Sequence, residues 1–130
     1  MASIRKEMSL KTAADTVWDA IRDFPQVHIR VAPGFLADLT MDKGDRVIAF
    51  GNGVVARERL VTIDNADKRF VYSIVDGRPT HHNASFQVIP TAEGGCRVVW
   101  TADLLPDDLA PAVAEMMDAG LGAMKKKLDT

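Results

Sequence analysis

Pro106 to Leu128 reads PDDLAPAVAEMMDAGLGAMKKKL, and this stretch decides the fold. Val113, Met117, Leu121, Met124 and Leu128 recur at spacings of four, four, three and four, which puts them on one stripe of a helix. Glu115, Asp118, Lys125 and Lys126 lie mostly off that stripe, and Lys125-Lys126-Lys127 suit the negative end of the helix dipole. Asp107 and Asp108 are placed to cap its start, and Pro111 is tolerable in a first turn. A long amphipathic helix must lay its stripe on something. What remains of the chain reads almost entirely as strands.

The six segments 35–41, 46–50, 54–63, 69–76, 81–90 and 96–105 are each of strand length and rich in Val, Ile, Phe, Tyr or Thr. Turn residues separate them, among them Asp42-Lys43-Gly44, Gly51-Asn52-Gly53, Asp76-Gly77-Arg78-Pro79 and Glu93-Gly94-Gly95. Short turns between consecutive strands imply an antiparallel meander. Upstream, residues 3–10 alternate loosely as a further strand. Thr12 with Asp15 reads as a capping box for a helix carrying Ala14, Val17, Trp18, Ile21 and Phe24, which Pro25 stops. Residues 26–31 fit another turn or two of helix. The prediction is an α+β domain over 1–130: a seven-stranded curved antiparallel sheet wrapped around a long C-terminal helix, with two short helices after the first strand.

Composition narrows the function classes. A hydrophobic share of 47% and a charged share of 26% are those of a globular chain, and a net charge of −2 gives no footprint for nucleic acid or an anionic membrane. One cysteine, Cys96, excludes an intrachain disulfide and a cysteine-built metal cluster. No apolar run suits a signal peptide or a membrane span, so the expectation is a cytoplasmic protein, monomeric or homodimeric, without nucleic-acid partner or cofactor.

Parity sorts the strands. Phe70, Tyr72 and Ile74 share a face, as do His82, Ala84, Phe86 and Val88, and Val98, Trp100, Ala102 and Leu104; these faces should point inward. Glu58 is ambiguous, because Val54, Ala56, Glu58 and Leu60 compete with Val55, Arg57, Arg59 and Val61 for the inner side. Facing in, its carboxyl would be desolvated toward a higher pKa and could anchor a ligand or move a proton; facing out, it is a solvated glutamate among arginines. Tyr72 fits a core tyrosine, and its hydroxyl would seek a ligand, Glu58 or a water. His81 and His82 are adjacent on a strand and point to opposite faces, so they cannot readily share a metal, and His28 is the only other histidine. Gly120 and Gly122 weaken the long helix by about 1 kcal/mol each relative to alanine, which suggests close packing or a bend there.

The order of elements resembles the helix-grip fold of the START and pollen-allergen-like superfamily, often called SRPBCC. Val17-Trp18 with Asp23-Phe24, Glu58-Arg59, Tyr72-Ser73-Ile74 ahead of Asp76-Gly77, and Val98-Val99-Trp100 are similar to its bacterial polyketide cyclase/dehydrase-like branch. The resemblance spans nearly the whole chain. It implies a cavity between sheet and long helix for a small hydrophobic or aromatic molecule, with the carboxylate at the position of Glu58 facing that cavity, as in the plant hormone receptors of the superfamily. The Asp76-Gly77-Arg78-Pro79 turn corresponds to a mobile gate in some relatives, but its residues read first as an ordinary hairpin turn. The expected contacts are Phe24, Tyr72, Ala84, Phe86, Trp100, Met117, Leu121 and Met124, with Glu58 and His82 as polar groups. Three functions fit: a carrier or receptor of lipid- or polyketide-like molecules, a cyclase/dehydratase with Glu58 or His82 as acid/base, or an interaction module with a filled interior and an exposed apolar patch.

Overall fold

The computed structural model describes residues 1–129. Strand β1 (Ala2–Leu10) leads to helix α1 (Ala14–Ile21), a 3-10 turn at Phe24–Gln26 and helix α2 (Val27–Arg30). Six strands follow: β2 (Leu36–Asp42), β3 (Asp45–Phe50), β4 (Val55–Asp64), β5 (Arg69–Asp76), β6 (His81–Pro90) and β7 (Cys96–Leu105). A second 3-10 turn, Asp107–Leu109, opens helix α3 (Ala110–Leu128). The strands form one sheet in the order β1-β7-β6-β5-β4-β3-β2, every adjacent pair antiparallel. This is a helix-grip fold, and each predicted strand lies within one residue of its observed bounds.

The inner face of the sheet and the stripe of α3 share the core. Met117, Leu121, Met124 and Leu128 are buried with Phe70, Tyr72, Ala84, Val88, Val98 and Ala102, and α1 and the following turn contribute Val17, Trp18, Ile21 and Phe24. Val113, at the start of the stripe, is only half-buried.

Two capping expectations are corrected. Asp107 and Asp108 occupy the 3-10 turn, and neither side chain caps a helix. Thr12 does not cap α1, whose N-cap is Ala13. Its hydroxyl instead donates to the Leu128 carbonyl at 2.6 Å, one of the oxygens left over at the end of α3. The Lys11 N–H donates to Asp129 Oδ1 at 2.7 Å, and Lys125 Nζ donates to the Ser9 carbonyl at 2.9 Å. The corner between β1 and α1 is therefore the clamp for the far end of the long helix.

The two helix glycines differ. A Cβ on Gly120 would lie 2.9 Å from the Trp100 ring and 3.1 Å from that of Phe35, so the helix and these aromatics meet across the missing side chain. Nothing lies within 4 Å of the same position on Gly122. Close packing explains the first glycine; nothing in the structure explains the second.

Candidate functional site

Between the sheet and α3 lies a cavity of about 140 Å³. Ile48, Phe70, Phe86, Trp100, Met117 and Met124 are among its apolar walls, and Arg46, Glu58, Tyr72 and His82 bring polar atoms to it. At one end Phe35, Phe50, Arg78 and Met116 stand where the cavity meets the surface, with the Arg78 side chain exposed.

Glu58 faces inward and is 4% exposed, which settles its parity. It is not the unpaired carboxylate that the parity alone would give. Arg46, also 4% exposed, donates from Nε to Glu58 Oε1 at 2.9 Å and brings Nη2 to the same oxygen at 2.8 Å. Its third nitrogen, Nη1, donates to the Phe24 carbonyl at 3.2 Å. The guanidinium carbon lies 4.3 Å from the Phe24 ring centre, 5.5 Å from that of Phe70 and 5.3 Å from that of Tyr72, an aromatic cage for a cation. Burying two charges is costly unless they are paired and hydrogen-bonded, and here both conditions hold for the arginine. Glu58 Oε2 accepts no hydrogen bond among the described residues.

The competing parity of β4 faces out. Arg57 Nε and Arg59 Nη2 reach Asp45 Oδ2 at 2.8 and 3.0 Å, and the two guanidinium groups hold the Asp45 carboxyl down to about 2. Each side of the hairpin thus holds its own ion pairs, Arg46 with Glu58 within and Arg57 and Arg59 with Asp45 without.

Tyr72 has a partner, and it is Trp100: the indole Nε1–H donates to the phenolic oxygen at 3.1 Å. Burial pushes the Tyr72 hydroxyl far above its ordinary pKa, and the nearby Glu58 charge adds to this. The phenol stays protonated, and its own hydrogen is donated to no group among the described residues.

His82 is 6% exposed and held in one tautomer by the edge of a ladder. Backbone pairing between β5 and β6 runs from Arg69/Gln87 to Tyr72/Ala84 and stops. The next free amide, that of Ile74, donates to His82 Nδ1 at 3.0 Å, so the ring proton sits on Nε2. Burial, helped by the charge of His81, lowers the His82 pKa to about 4. At neutral pH this side chain is an uncharged donor, and Nε2–H has no partner among the described residues. His81 is exposed on the outer face.

Among the residues expected to meet a ligand, Glu58, Tyr72, His82, Phe86, Trp100, Met117 and Met124 come together around the cavity. Phe24, Ala84 and Leu121 are buried but lie outside its lining. The Phe24 ring lies beneath Arg46, and Ala84 sits between Tyr72 and Ala102 in the sheet. Leu121 is turned about 100° past Gly120 around the helix. Arg46 and Phe35 were not anticipated. The signal for Arg46 was present: Phe50 and Val54 flank the Asn-Gly turn, and counting four residues back along each strand sets Arg46 opposite Glu58, the observed register. Among the described residues no group of three or more His, Cys, Asp or Glu could hold a metal ion, and no helix is long and apolar enough to cross a membrane.

The same architecture recurs in solved structures. XoxI from Bacillus cereus is 20% identical, with a TM-score of 0.86 over 98% of this chain and 96% of that one. A Thermobifida fusca protein is 29% identical, with a TM-score of 0.77 over 98% and 93%. Norcoclaurine synthase from Thalictrum flavum is 18% identical, with a TM-score of 0.73 over 96% and 91%. The di-domain aromatase/cyclase BexL is 15% identical, with a TM-score of 0.82 over 98% of this chain and 46% of that one. No curated protein matches the sequence. The sequence model of one family, described as polyketide cyclase / dehydrase and lipid transport, matches residues 1–129. By that match, running from β1 through the end of α3, the chain belongs to the polyketide cyclase / dehydrase and lipid transport family.

Proposed function

We propose that this protein binds a small hydrophobic or aromatic molecule in the cavity beneath α3. The observation that carries the reading is the cavity itself, about 140 Å³ of mostly apolar space between sheet and helix. An engineered apolar cavity of about 150 Å³ accepts benzene, so the space suits a ligand of about one ring. A longer lipid or polyketide would require the Phe35, Phe50 and Arg78 end to open. A filled interior, the mark of a pure interaction module, is not what this core has.

The polar groups favour binding over acid/base catalysis. A general acid or base works best with a pKa near the operating pH. His82 at about 4 is neutral at pH 7, the Tyr72 phenol is protonated, and Glu58 is engaged by Arg46. They suit recognition better than proton transfer. Native mass spectrometry of the protein from its own host tests the reading. A retained apolar adduct is expected, lost in Ala112→Phe, which projects a ring into the cavity from the half-buried first turn of α3. A bare protein mass, together with no thermal stabilisation by saturating toluene or indole, would overturn it.

A further inference from the structure

We infer that the cavity selects a neutral ring bearing a hydroxyl group, a phenol in its simplest form, over rings that carry a charge or no polar group. The inference rests on the binding reading above and concerns what sits at the polar end of that same space.

The polar groups form one row across the inner face. Glu58 on β4 stands opposite Ile74 on β5, and the Ile74 amide is bonded to His82 on β6. Tyr72 lies two residues along β5 on the same face, and its ring centre is 5.7 Å from that of His82. Diagonal neighbours of this kind are about 7–8 Å apart at the backbone, within reach of long side chains. Each group has its other valences used. Arg46 occupies Glu58 Oε1, Trp100 occupies the Tyr72 oxygen, and the Ile74 amide occupies His82 Nδ1. What remains is one acceptor, Glu58 Oε2, and two donors, the Tyr72 O–H and the His82 Nε2–H. All three residues are at least nine-tenths buried and line the cavity.

A polar group that faces an apolar cavity with a valence open is costly to leave dry, so this set describes its ligand by complementarity. The ligand needs a polar group that can donate to a carboxylate and accept from a neutral donor. A hydroxyl does both on one oxygen. Charge decides the rest. Arg46 and Glu58 cancel, so the site is formally neutral. A ligand carboxylate would meet Glu58, an ammonium group would leave the Tyr72 and His82 donors without an acceptor and sit beside Arg46, and each would lose hydration on entry. Arg78 is outside this balance because its side chain is in solvent at the mouth. A ring with no polar group fits the apolar walls but leaves the three groups unanswered.

Titration calorimetry at pH 7 with p-cresol, toluene, benzoate and benzylamine separates the outcomes. A phenol is neutral at that pH, since phenolic groups titrate near 10. p-Cresol should bind about tenfold or more tightly than toluene, as expected for one to two net hydrogen bonds, with benzoate and benzylamine weaker than both. Tyr72→Phe should narrow the p-cresol-to-toluene ratio several-fold without closing it, since Glu58 and His82 remain. Because that change also removes the acceptor of Trp100, the ratio of the two affinities within the one variant, rather than either affinity alone, is the readout, and an unchanged ratio would overturn the inference. If toluene and p-cresol bind equally, or either charged ring binds best, the selectivity inference falls while the binding reading stands. If none of the four binds, both fall.

Discussion

Arg46 and Glu58 meet through one carboxylate oxygen, with Nε at 2.9 Å and Nη2 at 2.8 Å, and the guanidinium carbon lies 4.3 Å from the centre of the Phe24 ring. Removing one member of such a pair strands the other as a buried charge, at a cost of about 3–5 kcal/mol, whereas replacing both by apolar groups is often close to neutral. Glu58→Gln and Arg46→Met should each lower the urea midpoint sharply. Arg46→Met with Glu58→Leu should recover much of the loss, and a double-mutant cycle reads the coupling directly. If the single changes add, the pair is not a unit.

Acid should weaken the fold through His82. Its folded-state pKa is lowered from 6.5 to about 4, so the unfolded chain binds the proton more readily. The stability this neutral histidine supplies is present above pH 6.5 and is lost as pH falls toward 4, up to about 3 kcal/mol. His82→Gln should flatten the stability profile between those two values. An unchanged slope would mean that His82 is not the group titrating there.

The two glycines of α3 should respond with opposite signs. Gly122→Ala adds a methyl where no neighbour lies within 4 Å and should stabilise the protein by about 0.5–1 kcal/mol. Gly120→Ala drives a methyl against Trp100 and Phe35 and should destabilise despite the better helix propensity, since overpacking costs about 1–3 kcal/mol. Thermal melts of the two variants, run side by side, decide it.

The clamp at the end of α3 should show in local opening. Thr12→Val removes the donor to the Leu128 carbonyl, a net loss of about 1 kcal/mol. Hydrogen exchange should rise in the last turn of α3 and leave the β6–β7 ladder unchanged. Faster exchange across the whole chain would show instead that Thr12 supports global stability.

The hairpin of β3 and β4 shows where sequence reading succeeds and where it stops. Alternation placed Phe70, Tyr72, Phe86 and Trp100 on inner faces because a strand offers side chains only two directions, and one of them here is predominantly apolar or aromatic. In β4 both parities carried a charge, so alternation alone could not choose. The turn at Asn52-Gly53 carried the missing information, since it fixes the register that sets Arg46 across from Glu58. Helix α1 was legible from its apolar spacing, yet its cap was not. Thr12 and Asp15 have the spacing of a capping box, but α1 is capped one residue later at Ala13, and the Thr12 hydroxyl is drawn to a carbonyl 116 residues away.

The sequence by itself determined the elements, their order and the inner side of most strands, because hydrophobic period and turn chemistry are local properties of the chain. Only the tertiary structure decided which valences of the polar residues are spent. Trp100 occupying Tyr72, Ile74 occupying His82 and Arg46 occupying Glu58 are contacts between separate strands. What those contacts leave open, one oxygen and two hydrogens around about 140 Å³ of apolar space, is a property of the closed fold and of no single segment.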